Sequence, residues 1–411
     1  MKMIKFAGVA LAAVLLLGGA GCATAPRGAS TDAWTAIANG APIRVAVYVD
    51  NGSRSKGMFR WLQHMELSPD VKMTPVDGES IRNGALDDVD MLVMPGGRAT
   101  IEARALQTNG LNRVREFIHR GGSYVGTCAG CFMVMQYARG EHLMPLIPYT
   151  FWRKGDKLDG ERGPYLAEGD KEIVFNEESA KACGISGTHK IRYAGGPVLW
   201  PTGETIPGAN MKTFAKYAPT TKTKGVEGKS IGDCVACVAG TYGKGRLFVL
   251  AVHPEADPKN SDVVQGAFRY VTGRDIRLPE QQKDAKALRV GFYCANALGP
   301  KLARWAMDLV DSPEYYVEPI SNDALVGGAL DPAKLPVFVT GEPRDVETQK
   351  LQFNSQKGAA RIRKYLDRGG KVIVWGPAKN FAAFKEPHRN LVRAADGDAA
   401  MAALVGFKSA K

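Results

Sequence analysis

The stretch "GGSYVGTCAGCFMV", residues 121–134, decides how this 411-residue chain is read. An apolar run closes on Gly126 and Thr127, then come Cys128, Ala129 and Gly130. The pattern predicts a strand, a sharp corner and a new helix, with small residues letting the backbone fold back beneath the sulfur. A corner of this kind lifts a nucleophile above the carboxyl end of a sheet, as the G-x-S-x-G elbow does for serine. N–H groups at the start of the new helix favour thiolate over thiol there. A small buried cysteine at a strand end has the same local sequence, and that is the commoner fate of an isolated thiol.

The chain opens with "MKMIKFAGVALAAVLLLGGAGC": Lys2 and Lys5, an apolar core from Ala7 to Leu17, then small residues. Residues 1–21 therefore read as a secretory signal whose core is too short to span a bilayer. The closing "GAGC" resembles a bacterial lipobox, in which the cysteine is lipidated and becomes the mature N-terminus. That resemblance implies a lipid membrane as a partner through Cys22. Ala23 after it implies the periplasmic face of the outer membrane, in a lipid-anchored cell-envelope protein. Each acyl methylene buried in the bilayer would add roughly 0.8 kcal/mol. Plain cleavage and release fits the same segment. Residues 22–41, rich in Ala, Pro, Gly and Ser, read as a tether.

With 45% apolar residues the chain is long enough for two packed domains. Its net charge is +12, of which Lys2 and Lys5 leave with the signal. Such a surplus suits a position beside an anionic membrane. The Lys and Arg residues are dispersed and no binding motif interleaves them with aromatics, which argues against nucleic acid.

Seven cysteines need sorting. Cys234 and Cys237 in "DCVACVAG" have C-x-x-C spacing but no second pair for zinc. They lie in an apolar run followed by "TYGKGRLFVLAV", which reads as a hairpin. Residues three apart on a strand face opposite sides, so this pair is expected to pack rather than to bind metal or cycle redox state. Cys131, one helical turn past Cys128, suits helix packing or a resolving thiol. No metal and no cofactor is expected.

A nucleophilic cysteine needs a base, and the chain holds six histidines. His64, His119, His142, His189 and His388 have no acid at a useful spacing. "RLFVLAVHPEAD" is different: an apolar strand ends in His-Pro-Glu, so His253 emerges at a carboxyl end, as Cys128 does. Pro254 turns the chain and Glu255 can swing back to the imidazole, giving nucleophile, base and orienter. "DMLVMPGGRAT" supplies a buried strand and then Pro95-Gly96-Gly97. The Gly97 N–H, with that of Ala129, would form an oxyanion hole worth about 2.7–4 kcal/mol per donor.

"MPGG", "GTCAGC" and "HPE", in that order, resemble the class I glutamine amidotransferase-like domain with its Cys-His-Glu triad. "YAGGP" at 193–197 narrows the resemblance to the N-terminal (BPL-N) domain of eukaryotic biotin–protein ligases and its free-standing bacterial relatives. It covers residues 42–275. By position it implies Cys128 as nucleophile, His253 as base, Glu255 as orienter and Gly97 with Ala129 as oxyanion donors. It adds Gly96, Tyr193, Gly195 and Gly196 as substrate contacts. No "GRGR"-type biotin–adenylate loop occurs, so biotinylation does not come with the resemblance.

Parts of the chain recur. "IRVAVYVDN" (43–51) is echoed by "LRVGFYCAN" (288–296), and "RVREFIHRGGSYVGTCAG" (113–130) by "RIRKYLDRGGKVIVWGPA" (361–378). Residues 285–408 thus read as a shortened, degenerate second copy joined by a polar linker at 276–284. Gly376 stands opposite Cys128 and no His-Pro-Glu follows, so this copy would be catalytically dead. Strand runs alternate with amphipathic stretches in both units. The predicted fold is α/β: two flavodoxin-like, class I amidotransferase-like parallel-sheet units. Ligands of such folds bind beyond the carboxyl ends of the strands. Cys128, the Pro-Gly-Gly loop and "DNGSRSKG" (50–57) should converge there, with Asp50, Asn51, Ser53 and Arg54 as candidate substrate contacts. The second unit is expected to pack against the first and to shape one wall of its cleft.

The expected reaction is thiol attack on the carbonyl of an unidentified small amide or peptide, through an acyl-enzyme. The alternative is a lipid-anchored binding or scaffold protein that keeps the elbow as a relic.

Overall fold

The computed structural model describes residues 40–136, 144–151, 157–158, 161–162, 166–221, 223, 231–232, 234–277, 283–294, 298–341, 355–375 and 382–409. The signal, Cys22, nearly all of the tether, His142 and Gly376 lie outside them.

The first unit builds β1 (Ile43–Tyr48), β2 (Val71–Val76), β3 (Met91–Met94), β4 (Ser123–Thr127), β5 (Tyr149–Phe151), β6 (Lys157–Leu158), β7 (Glu161–Arg162), β8 (Gly169–Phe175), β9 (Gly187–Tyr193), β10 (Leu199–Pro201), β11 (Ala209–Tyr217), β12 (Val235–Tyr242) and β13 (Gly245–Leu250). The second adds β14 (Leu288–Tyr293), β15 (Tyr315–Ile320), β16 (Val337–Thr340), β17 (Lys371–Trp375) and β18 (Leu391–Ala394). In the first unit β2, β1, β3, β4 and β13 run side by side, all parallel. In the second, β15, β14, β16, β17 and β18 repeat that order, again all parallel. Both have the strand order of a flavodoxin-like sheet, and the fold is two α/β units of that kind.

The central strands are short and apolar on both faces, as sheets covered by helices on each side require. All of β3 and β4 is buried. The covering helices are one-sided. Ser55–Met65, for example, buries Met58, Phe59, Trp61, Leu62 and Met65, a stripe at helical spacing.

A purely parallel first sheet was expected, and the structure departs from that. Between β4 and β13 the chain inserts strands that extend the sheet antiparallel, in the order β13, β12, β11, β8, β9. β12 and β13 form the hairpin read in the sequence. Cys234 and Cys237 were expected on opposite faces, yet both join one hydrophobic cluster. Cys234 precedes the strand, where alternation does not hold, and the β11–β12 register shifts nearby. The six cysteines among the described residues are all free and buried. Cys131 is fully buried among apolar side chains, in the helix-packing position.

The second unit shares a core with the first. The Phe59 and Phe292 rings lie 5.5 Å apart, and one cluster of buried residues runs from Ile43 through Trp305 to Leu404. Main-chain groups join as well: Gly299 N–H donates to the Val49 carbonyl at 3.3 Å. The start of the linker is not loose polar chain either. Arg277 donates to the buried Asp70 carboxylate from its main-chain N at 2.8 Å and from Nη2 at 2.7 Å. Those bonds hold the Asp70 carboxyl below its usual pKa.

Candidate functional site

β4 delivers Cys128 to the carboxyl end of the first sheet, where the backbone turns at φ 52° and ψ −100°. A side chain in that region is strained, at about 1–3 kcal/mol, and two glycines make the corner possible. A Cβ on Gly126 would come 2.7 Å from Gly130, and one on Gly130 would come 2.3 Å from the Met94 carbonyl oxygen. The corner is pinned by the Cys128 N–H donating to the Leu250 carbonyl at 2.9 Å. The helix that follows, Ala129–Val134, is only six residues long. The sequence reading expected its free N–H groups to act on the sulfur, but so short a helix adds little dipole.

β13 ends at Leu250, and three residues later His253 faces the same corner. Its N–H donates to the Arg192 carbonyl at 2.8 Å, so the inserted β9 fixes its position. Glu255 Oε1 lies 2.8 Å from His253 Nδ1, across the short turn Pro254–Ala256. The ring stands beside the Cys128 side chain, both of them against Gly96. Burial would strip the proton from His253, but Glu255 and Cys128 outweigh it and push the pKa up to about 10. At neutral pH the ring therefore carries its proton.

Glu255 is 2% exposed and is held from behind. Thr127 Oγ1 donates to its Oε1 at 3.3 Å, and Trp61 Nε1 reaches Thr127 Oγ1 at 3.5 Å. The His64 ring bonds the Glu255 main chain, while burial lowers its own pKa. The sequence reading saw no acid at a useful spacing for His64. Its acid comes from 191 residues away, a separation no local spacing registers.

The Pro-Gly-Gly loop closes the site from β3. A Cβ on Gly96 would stand 2.5 Å from the His253 ring and 3.4 Å from the Cys128 Cβ, so no other residue fits. A Cβ on Gly97 would strike the Gly52 carbonyl at 2.0 Å and Glu102 Oε1 at 2.8 Å. Glu102 is fully buried below this loop, with neither carboxyl oxygen partnered among the described residues. Burial first, and the nearby Cys128 second, push its pKa well above the usual carboxyl range.

A cleft of about 460 Å³ opens over these groups. Gly96, Gly97, Cys128, His253, Glu255 and Arg54 line it. Ala129, the expected second oxyanion donor, is fully buried and is not in the lining. Six expected substrate contacts are absent from the wall. Asp50 turns inward, accepting from the Gly78 N–H at 3.0 Å and from Asn51 N–H at 2.7 Å. Asn51 follows it. Tyr193 is 4% exposed and donates to the Gly196 carbonyl at 2.9 Å. Gly196 packs on the Ala251 carbonyl, and Gly195 supplies a left-handed turn at φ 80°. Ser53 is also buried, pairing with Gly97.

Sequence reading missed Lys56 and Arg60, which line the cleft from helix Ser55–Met65, and Arg192 and Glu168 opposite. The i, i+4 spacing of the first two was the available signal. Ser321 and Asp323, from the second unit, complete the wall; nothing local announces them.

Comparison with known proteins places this arrangement. The model of the family described as biotin-protein ligase, N terminal, matches residues 43–143, a span holding Cys128 but ending before His253. Biotin–protein ligase of Schizosaccharomyces pombe is 24% identical over 246 residues, 54% of this chain and 35% of that one. The pyridoxal 5'-phosphate synthase subunit PdxT of Hyperthermus butylicus is 31% identical over 90 residues, 21% of this chain and 43% of that one. The chain thus spans less than half the length of either relative. A glutamine amidotransferase from Thermotoga maritima superposes with a TM-score of 0.32 at 12% identity, covering 55% of this chain and 82% of that structure. A β-galactosidase from Bacillus circulans sp. alkalophilus gives 0.39 at 14% identity, over 59% and 33%. Over residues 43–143 the chain is thus similar to the biotin-protein ligase N-terminal domain.

Proposed function

We propose that the protein is a cysteine amidohydrolase that opens an amide or peptide bond through a thioester on Cys128. The single observation that carries this is the strained corner at Cys128, which shares one cleft with a histidine that a buried glutamate holds. Strain of that size persists where the surrounding structure enforces it, and a relic site would have no reason to keep it.

In the reaction the Cys128 proton resides on His253 and the sulfur attacks the substrate carbonyl carbon. The oxyanion that forms accepts from the Gly97 and Ala129 N–H groups. Collapse breaks the C–N bond, and His253 gives its proton to the leaving amine. Water then enters, loses a proton to His253 and attacks the thioester, releasing the acid and restoring the thiol. Glu255 keeps the ring oriented and stabilises it whenever it carries the proton.

The site works in the cell envelope on this reading, tethered through lipidated Cys22; the signal-like residues 1–21 and the lipobox-like ending support it. Cys22→Ser should then release the protein from membranes in fractionated cells.

The chemical test is alkylation by iodoacetamide, followed by mass spectrometry. Wild type should be modified first at Cys128, and His253→Ala should slow that by about 10²-fold. Equal rates in the two proteins would leave an exposed cysteine and no catalytic pair.

A further inference from the structure

The cleft beside Cys128 gathers positive charge that the chemistry above does not use. Arg54, Lys56 and Arg60 enter from one side, at and just inside the start of helix Ser55–Met65. The buried stripe of that helix turns these three outward, and Lys56 and Arg60 sit one turn apart. Arg192 comes from β9 on the other side, next to the carbonyl that fixes His253. Apart from the triad glutamate, only Glu168 and Asp323 answer these four cations among the described residues of the lining. Glu168 is 3.6 Å from Arg192. No side-chain hydrogen bond or ion pair of Arg54, Lys56 or Arg60 occurs among the described residues. Lys56 feels the crowding: burial first and then Arg60 lower its pKa, while Asp323 pulls the other way.

Cations gathered with few counter-ions repel one another, the more so where the surroundings are less polar than water. A substrate bearing the opposite charge relieves that cost on binding, and a cleft lined with one sign also speeds its arrival. Planar guanidinium groups suit carboxylate and phosphate alike.

We propose that the cleft selects acyl substrates carrying an anionic group, carboxylate or phosphate, held by Arg54, Lys56, Arg60 and Arg192 while the carbonyl meets Cys128. Asp323 of the second unit tempers this preference. The proposal rests on the reading of Cys128 as nucleophile for where the carbonyl lies; its charge preference is testable without the thiol.

The first arm compares iodoacetate with iodoacetamide, which share size and leaving group and differ by one negative charge. Relative to mercaptoethanol, Cys128 should favour the anion by about ten-fold. Arg60→Glu and Lys56→Glu should each bring that ratio down, and Asp323→Asn should raise it. A general disturbance of the fold would not move the ratio in both directions. The second arm uses calorimetry on Cys128→Ala, with N-acetylglutamate, its neutral diamide and inorganic phosphate as probes. N-acetylglutamate should bind at least about ten-fold tighter than the diamide. Phosphate outcompeting N-acetylglutamate would assign the anion site to phosphate esters; the reverse order would assign it to carboxylates. An iodoacetate ratio equal to that of mercaptoethanol, or a diamide that binds as tightly as the dianion, overturns the proposal. Failure of Cys128 to react with either reagent counts against the nucleophile alone, and calorimetry then decides the charge preference by itself.

Discussion

The two units lay five parallel strands in the same order, yet only one carries a candidate site. The difference lies in what joins the fourth strand to the fifth. In the second unit β17 reaches β18 through residues 376–390, and Ala394 is followed by Ala-Asp-Gly. In the first, β4 reaches β13 only after the antiparallel extension, and β13 is followed by Ala-Val-His-Pro-Glu. That extension supplies the Arg192 carbonyl for the His253 N–H and the Ala194 carbonyl 3.9 Å from the Cys128 sulfur. A flavodoxin-like sheet provides the corner, and the insertion makes the corner chemical. The second unit plays another part. Its Ser321 caps a short helix after β15, at the position that Asp77 holds after β2, and there the chain reaches the first unit's cleft.

The largest expected effect breaks the junction between the units. Phe292 is fully buried between Phe59 and Trp305, so Phe292→Ala should cost about 3–5 kcal/mol. Denaturant unfolding measures that loss, and iodoacetamide labelling of Cys128 should change with it. Phe338→Ala is the control. Phe338 is buried in a separate cluster of the second unit, so it should cost as much and leave labelling as it was. If both substitutions left labelling untouched, the second unit would be a passenger at the cleft.

The parts of this architecture legible in the sequence are those fixed locally. Gly126, Gly130 and the three residues between them state the corner within five positions, because backbone crowding there leaves no alternative. His-Pro-Glu likewise puts an acid two residues from its imidazole. Asp50 shows where legibility ends. It follows β1 at the correct end of the sheet, but the Gly78 N–H, from the loop after β2, captures its carboxylate. Asp323 and His64 lay beyond reach for the same reason, since their placement depends on contacts hundreds of residues apart. The antiparallel extension was hidden too, as its strands alternate apolar and polar residues much as an edge hairpin would.

A smaller effect separates the units by their proton uptake. His253 has a folded pKa of about 10, above the ordinary 6.5, so the folded protein holds a proton that the unfolded chain releases. Its contribution is fully present below pH 6.5 and is lost as pH rises through about 10. Between those values stability should fall with pH by at most about 1.4 kcal/mol per unit from this residue. His253→Gln should flatten that slope, and stability curves at several pH values measure it. The second unit has no counterpart of His253 at the end of β18, so substituting its own His388 should leave the slope in place. A slope that survives in His253→Gln would mean the ring is not held charged.

The smallest effect bears on strain at the Cys128 corner. Cys128 sits at φ 52° and ψ −100°, a region open to glycine at little cost and strained for any residue with a Cβ. The chain writes glycine at the matching point of the other unit, Gly376. Cys128→Gly should therefore be more stable than Cys128→Ala by about 1 kcal/mol, with the usual entropy loss of glycine outweighed by the strain released. Comparing the two variants cancels most of the effect of losing the sulfur, because neither keeps a thiol beside His253. Thermal unfolding of both at one pH is the measurement. If Cys128→Ala proved the more stable, the corner would be relaxed, and the argument that strain is kept there for catalysis would fall.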